Sequence, residues 1–100
     1  MAPTKQERHQ ATLDKLHETY LLKNALYGDS TTDTFKKFGV LSYAVRLNDK
    51  LKRFHSLVLN PLGGEGSNYE SMVDTLLDMA NYAILAVMDI EEERLDDDSE

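Results

Sequence analysis

The amino-acid sequence predicts an all-α fold, a small bundle of three long helices plus a short turn. Apolar residues recur at intervals of three and four over long stretches, as they do along one face of an α-helix. Two short segments, 27–33 and 60–68, contain the glycine, proline and polar residues that typically interrupt helices. No stretch alternates apolar and polar residues as a half-buried strand does, so we expect no β-sheet.

The first helix is predicted from Pro3 and Thr4 to about Tyr27. Proline fits the first turn of a helix, where its missing N–H has no partner to lose. One face carries the apolar residues Leu13, Leu16, Tyr20 and Tyr27. The segment YGDSTTD, residues 27–33, then ends this helix and leads into the predicted short turn.

The second long helix is predicted from Val40 onwards, with two adjacent stripes. Its apolar seam consists of Val40, Ala44, Leu47, Leu51, Phe54 and Val58. The charged stripe beside the seam consists of Arg46, Asp49, Lys50 and Arg53. This helix therefore offers cations next to its predicted packing surface.

The third long helix is predicted from about Tyr69 to Glu92, after the loop NPLGGEGSN at 60–68. Apolar residues cover about half of its circumference and much of the remainder, so we expect it to be buried on all sides. Asp74, Asp78 and Asn81 form a narrow polar stripe within this apolar surface.

A carboxylate buried at Asp78 would need a cation, a proton or a metal ion. One interpretation is structural: Asp74 or Asp78 pairs with Arg46 or Lys50 and holds two helices in register. The other adds a ligand, with Asp74 and Asp78 holding Mg²⁺ and the cations of the second helix contacting phosphate oxygens.

Composition and charge limit the function classes. One hundred residues make one domain, predicted over 1–92, followed by an acidic, disordered tail at 93–100. The net charge of -7 comes mainly from the last ten residues, and we expect no duplex nucleic acid as partner. There is no cysteine, which excludes disulfides and thiol nucleophiles.

The expected cellular location and oligomeric state follow from the distribution of apolar residues along the sequence. The N-terminus MAPTKQERHQ has no apolar stretch, and the run LLDMANYAILAVM is too short to span a bilayer. We therefore expect a cytoplasmic protein without a membrane partner. An apolar helix in a chain this small needs cover from other chains, so we also expect a homo-oligomer.

Three segments, KNALYGDS, RLNDKLKRFHSL and DTLLDMANYAIL, resemble the nucleotide modification associated domain family of phages and prophages. The resemblance covers about residues 23–92. That family is related to the all-α MazG-like nucleotide pyrophosphohydrolases, which hold Mg²⁺ with paired acids and assemble as dimers or tetramers. The resemblance implies a MazG-like bundle completed by oligomerisation, with Asp74 and Asp78 as metal or ligand contacts.

The chain departs from the MazG pattern on the second helix. MazG-like enzymes have a Glu-x-x-Glu pair there, whereas this sequence has Asp49 among Arg46, Lys50, Lys52 and Arg53. Cations in place of acids weaken a two-helix Mg²⁺ site and favour the binding of phosphate itself.

Three functions are consistent with these residues. The first is a phage-type protein that holds a nucleotide or nucleotide-derived signal molecule without cleaving it and sequesters it against host defence, in the host-cell cytoplasm. Its ligand-binding residues would be Lys23, Asn24, Tyr27, Arg46, Asp49, Lys50, Arg53, Asp78 and Asn81, with Mg²⁺ allowed but not required. The second is a Mg²⁺-dependent nucleoside triphosphate pyrophosphohydrolase with metal ligands Asp74 and Asp78. The third is an acidic inhibitor that binds a protein.

Overall fold

The computed structural model describes residues 1–64 and 66–98, and these residues form four α-helices without a strand. The helices are α1 (Lys5–Tyr27), α2 (Ser30–Phe38), α3 (Leu41–Leu59) and α4 (Tyr69–Asp98). The predicted all-α fold is confirmed. The predicted short turn is instead the nine-residue helix α2.

The chain divides into two compact units, one from Met1 to Ser30 and the other beginning at Thr31. The first unit is built on α1, which begins where the sequence predicts because Thr4 caps it. The Thr4 hydroxyl accepts from the backbone N–H of Glu7 at 3.1 Å, and the Thr4 N–H donates to the Glu7 carboxylate at 3.0 Å. This backbone N–H, followed by the Thr4 hydroxyl, lowers the pKa of Glu7 below its usual value.

In the second unit, Gly39 turns the chain from α2 into α3. Its φ of +77° lies in the left-handed region, and its N–H donates to the carbonyl of Phe35 at 2.7 Å. The turn places the buried Phe35 ring 5.8 Å from the ring of Tyr43, centroid to centroid. These two aromatic rings join α2 to α3.

Helices α3 and α4 pack against each other and are connected through the glycine-containing loop. Near that loop, the Asn68 side-chain amide donates to the carbonyl of Leu57 at 3.1 Å. The Ser67 hydroxyl accepts from the N–H of Gly63 and donates to the carbonyl of Gly64. The loop therefore fixes the end of α3 beside the start of α4.

The predicted apolar seam of α3 coincides only in part with its buried face. Val40, Leu51 and Val58 are 58%, 41% and 47% exposed. The less exposed side of α3 is instead formed by Ser42, Tyr43, Arg46, Leu47, Lys50, Phe54 and Leu57. The physical reason is that α3 contacts α4 through Tyr43, Arg46 and Lys50. Of the seam, only Leu47 and Phe54 lie on this side of α3, and the other four residues face away.

The expectation that the third long helix is buried on all sides is also wrong for the single chain. Val73, Leu76, Ile84 and Val87 of α4 are all more than two-fifths exposed. One packed helix covers one face of a neighbour, so α3 leaves much of α4 open. By length and composition Tyr69–Asp97 is long and apolar enough to cross a membrane, a property that core helices of other proteins share.

Helix α4 runs on to Asp98, through much of the segment predicted to be a disordered acidic tail. Glutamate and arginine are good helix formers, and Arg94 pairs with Glu91 one turn away at 3.1 Å. Ser99 and Glu100 of that predicted tail lie outside the described residues.

Replacement of Gly39 tests the turn between α2 and α3. Gly39→Ala is expected to lower the free energy of unfolding by about 1–2 kcal/mol, because a Cβ disfavours positive φ. Gly39→Asn is the matched variant and should cost less, since asparagine tolerates this region. Urea unfolding monitored by circular dichroism gives both values, and equal effects of the two variants would contradict the account.

Candidate functional site

The candidate site is the line of contact between α3 and α4. Helix α4 turns a row of mainly polar residues towards α3, which we call the inner row: Ser71, Thr75, Asp78, Tyr82, Leu85 and Asp89. Its members follow one another at alternating intervals of four and three residues, and every one of them is buried or half-buried. The predicted stripe residue Asp78 lies in the middle of this row.

Three cations of α3 face the inner row, and we call them the cation row: Arg46, Lys50 and Arg53. Arg46 contacts Tyr82, Lys50 contacts Asp78 and Arg53 contacts Thr75. Each step of four or three residues along α3 is matched by an equal step back along α4. The two helices are therefore antiparallel and in a single register.

Lys50 and Asp78 form the central contact. The Lys50 ammonium lies 3.1 Å from a carboxylate oxygen of Asp78, and the two side chains are 29% and 33% exposed. This is one of the salt bridges that the structural interpretation of the sequence predicts. Because both groups are still reached by water, the pair is a partly screened contact rather than a buried one.

Arg46 and Arg53 make weaker contacts on either side of this pair. The guanidinium carbon of Arg46 lies 5.6 Å from the centre of the Tyr82 ring, a cation–π distance. The Nε of Arg53 donates to the Thr75 hydroxyl at 3.2 Å, and this hydroxyl donates in turn to the carbonyl of Ser71 at 2.8 Å. Neither contact neutralises the charge of its arginine.

A second polar cluster lies at the other end of the inner row, around the buried carboxylate of Asp89. Asp89 is 7% exposed and accepts a hydrogen bond from the Tyr43 hydroxyl. The Thr32 hydroxyl donates to both of its oxygens, at 3.0 and 3.1 Å. Three helices, α2, α3 and α4, thus meet at one carboxylate.

This environment raises the pKa of Tyr43 above its usual value. Burial disfavours the phenolate, and the hydrogen bond to Asp89 and the negative charge of Asp89 act in the same direction. The Tyr43 phenol therefore keeps its proton, which allows it to remain a donor to Asp89.

The other predicted site residues of the second unit lie beside this line of contacts rather than in it. Asp49 on α3 and Asp74 on α4 are exposed, whereas Asn81 on α4 is half-buried. Asp74 and Asp78 lie one turn apart on one helix. Among residues 1–64 and 66–98, no group of three or more histidine, aspartate or glutamate side chains is placed to hold a metal ion.

Lys23, Asn24 and Tyr27 belong to the first unit, at the end of α1. The Asn24 side-chain amide donates to the Asp29 carboxylate at 2.6 Å, across Gly28, which ends the helix. Tyr27 is 72% exposed. Their assignment to the same ligand site as the cation row stays a prediction.

Sequence reasoning missed Tyr43, Thr75, Tyr82 and Asp89. A signal for three of them was present, because Thr75, Tyr82 and Asp89 follow one another at intervals of seven beside Asp78. Asp89 stands next to the acidic segment beginning at Glu91, which disguises it as part of a solvated acidic end. Tyr43 has no comparable signal, since its role depends on the packing of α2.

The arrangement is suited to binding an anion. Successive cations follow one helix face over about 10 Å, two of them paired with uncharged groups and the third with a partly exposed carboxylate. An incoming phosphate can receive hydrogen bonds from arginine without displacing an acid from it.

The energy of the central ion pair can be measured by a double-mutant cycle of Lys50→Met and Asp78→Asn. We expect a coupling of about 1 kcal/mol at low salt, because the pair is partly desolvated, and a smaller value in 1 M NaCl. The matched control is the exposed pair Glu91 and Arg94, for which the cycle should give about 0.3 kcal/mol. A coupling no larger than that of the control would contradict the central position of this contact.

The Tyr43 hydrogen bond predicts a dependence of stability on alkaline pH. Tyrosine in the unfolded chain ionises near pH 10, whereas folded Tyr43 keeps its proton, so this contribution is complete below about pH 10 and is lost as the pH rises further. Tyr43→Phe should lower stability by about 1–3 kcal/mol at pH 7, and its deficit should shrink above pH 10. Urea unfolding at pH 7 to 11 measures this, and a Tyr43→Phe deficit that stays constant over the whole range would contradict the account.

Comparison with protein-family models, with curated proteins and with solved structures finds no match to this chain. The resemblance to the nucleotide modification associated domain family therefore stays a prediction from the three quoted segments.

Proposed function

We propose that the protein binds a nucleotide or nucleotide-derived signal molecule through the cation row and holds it without cleaving it. The observation that carries this proposal is the alignment of Arg46, Lys50 and Arg53 along one face of α3, beside the inner row of α4. In its cellular setting, taken from the phage resemblance, the protein acts in the host-cell cytoplasm and sequesters the molecule against host defence.

The phosphate groups are the part of the ligand that this site recognises best. Arg53 donates its Nε–H to Thr75. Its two Nη groups can then donate a pair of hydrogen bonds to the oxygens of one phosphate. Lys50 exchanges Asp78 for phosphate, and the released Asp78 side chain then accepts a hydrogen bond from a ribose hydroxyl. The Tyr82 ring holds the Arg46 guanidinium in place through its cation–π contact.

The base and ribose of the nucleotide require further contacts. We assign these to Asp49 of α3 and Asn81 of α4. Lys23, Asn24 and Tyr27 are assigned to the ligand as predicted from the sequence, as a basic, an amide and an aromatic contact. The complete site is assigned to a homo-oligomer, a dimer or tetramer.

Retention is favoured over hydrolysis because of the charges around the carboxylates. Hydrolysis of a phosphoanhydride with Mg²⁺ requires acids that are available to the metal. Asp78 is paired with Lys50, and Asp49 lies on the same helix as the three cations of the cation row. A phosphate group, by contrast, is attracted by each of these cations directly.

The test is to incubate the purified protein with a nucleotide pool and Mg²⁺, remove unbound molecules, denature the protein and identify what is released. Retention predicts an intact ligand. Lys50→Ala combined with Arg53→Ala should weaken capture by about 100-fold or more, since each charged hydrogen bond contributes about 1.5–3 kcal/mol. The control is Lys36→Ala combined with Lys37→Ala, which removes the same charge from the last turn of α2 and should leave capture unchanged.

Asp78→Asn separates retention from hydrolysis. It removes the internal partner of Lys50, so retention predicts that capture is preserved or strengthened. Release of a nucleoside monophosphate and pyrophosphate from the wild type, abolished by Asp78→Asn, would contradict the proposal and establish the enzyme. Equal loss of capture in the two double variants would also contradict it, since binding would then follow total charge.

A further inference from the structure

The side of α4 opposite the inner row carries an exposed apolar surface that follows its own regular spacing. We call it the outer seam: Tyr69, Val73, Leu76, Ala80, Ala83 and Val87. The intervals are four, three, four, three and four residues, which is the spacing of a helix-to-helix packing seam. Tyr69, Val73, Leu76 and Val87 are 59%, 48%, 45% and 60% exposed.

We propose that a second copy of this chain packs antiparallel on the outer seam, α4 against α4. This specifies the homo-oligomer of the proposed function but does not depend on the ligand. A seam of this length left in water would be an apolar patch of the kind that marks an interaction surface. A closed pair with two-fold symmetry covers the same residues on both copies at once.

The distribution of charge along α4 determines both the occupant and its direction. Residues 91–97 read EEERLDD, with five acids and one arginine, while the other end of the helix has the positive end of the helix dipole and Glu70 in its first turn. In a parallel pair the two acidic ends would lie side by side and repel each other. In an antiparallel pair each acidic end lies beside the positive end of the other α4 instead.

The same charges favour a protein copy over a lipid surface. Membrane surfaces are commonly anionic, and basic rather than acidic segments associate with them. The acids of residues 91–97 and the half-exposed Asp78 would oppose insertion of α4. A second copy supplies a matching apolar seam without requiring these acids to leave water.

The outer seam also gives the register of the pair. With the symmetry axis between Ala80 and Ala83, Leu76 of one copy lies opposite Val87 of the other. The small side chains of Ala80 and Ala83 then meet at the centre, where they allow the helices to approach closely. The larger residues fill the space on both sides.

The first experiment is the molar mass of the full chain by light scattering during gel filtration. The wild type should have at least twice the mass of one chain, and Leu76→Glu should be a monomer. Leu62→Glu introduces the same charge at a fully exposed loop residue and should retain the wild-type mass. Leu76→Glu combined with Val87→Lys should recover the larger mass, because in an antiparallel pair each new glutamate faces a new lysine.

The second experiment does not depend on the folding of a charged variant. The chain has no cysteine, so a single spin label can be placed at Ala83→Cys or at Leu95→Cys. An antiparallel pair predicts labels that are close together at residue 83 and about 40 Å apart at residue 95. A parallel pair predicts about 10 Å at both residues and would overturn the proposal.

Two other outcomes would also overturn it. A monomeric wild type would show that the seam is covered by the chain itself or not at all, and a monomer that floats with neutral phospholipid vesicles would assign the seam to a membrane. A folded Leu76→Glu variant that keeps the wild-type mass would place the subunit contact on another surface.

Discussion

The antiparallel register between α3 and α4 is the constraint on which the rest of the structure depends. Arg46, Lys50 and Arg53 each contact the residue of α4 that an unbroken antiparallel pairing assigns to them. A rotation of α4 by one residue would break all of these contacts together, because neighbouring residues point about 100° apart around a helix. The register is thus set by polar contacts, although much of α4 is apolar.

This choice of face explains why the candidate site and the proposed assembly surface lie on one helix. Once the inner row faces α3, the apolar residues of the outer seam must turn away from it. The free energy of covering them then becomes available to association between chains rather than to folding of one chain. The Asp89 cluster fixes the end of α4 to α2 and α3, and it thereby limits how far the helix can rotate about its axis.

The boundaries of α1 were predictable from the sequence because local chemistry determines them, whereas α2 was predicted as a turn and α4 runs past its predicted end at Glu92. Thr4 caps α1 with a side chain that has no need of distant residues, and Gly28 ends it in a conformation that few other residues adopt. The face on which each helix packs was not predictable in the same way. Apolar periodicity identifies a surface that avoids water, but it does not tell whether the same chain or another one covers that surface.

The candidate site, too, was predictable from the sequence only in part. A pair between Asp74 or Asp78 and Arg46 or Lys50 was predicted because a carboxylate in an apolar helix requires a cation, and Lys50 with Asp78 is the pair that forms. Tyr43 and Asp89 were not, because their contact depends on the turn at Gly39 and on the packing of α2. The sequence spacing indicates the face of α4 on which Asp89 lies, but it does not identify Thr32 and Tyr43 as its partners.

The register can be measured directly with pairs of cysteines introduced into the cysteine-free chain. Continued towards the loop, the pairing places Leu57 of α3 opposite Ser71 of α4, whereas Val73 lies on the far side of α4. Leu57→Cys with Ser71→Cys should therefore form an intramolecular disulfide rapidly in dilute solution, and Leu57→Cys with Val73→Cys should not. Faster closure of the pair at 57 and 73 would contradict the account, because α4 would then turn its apolar seam towards α3.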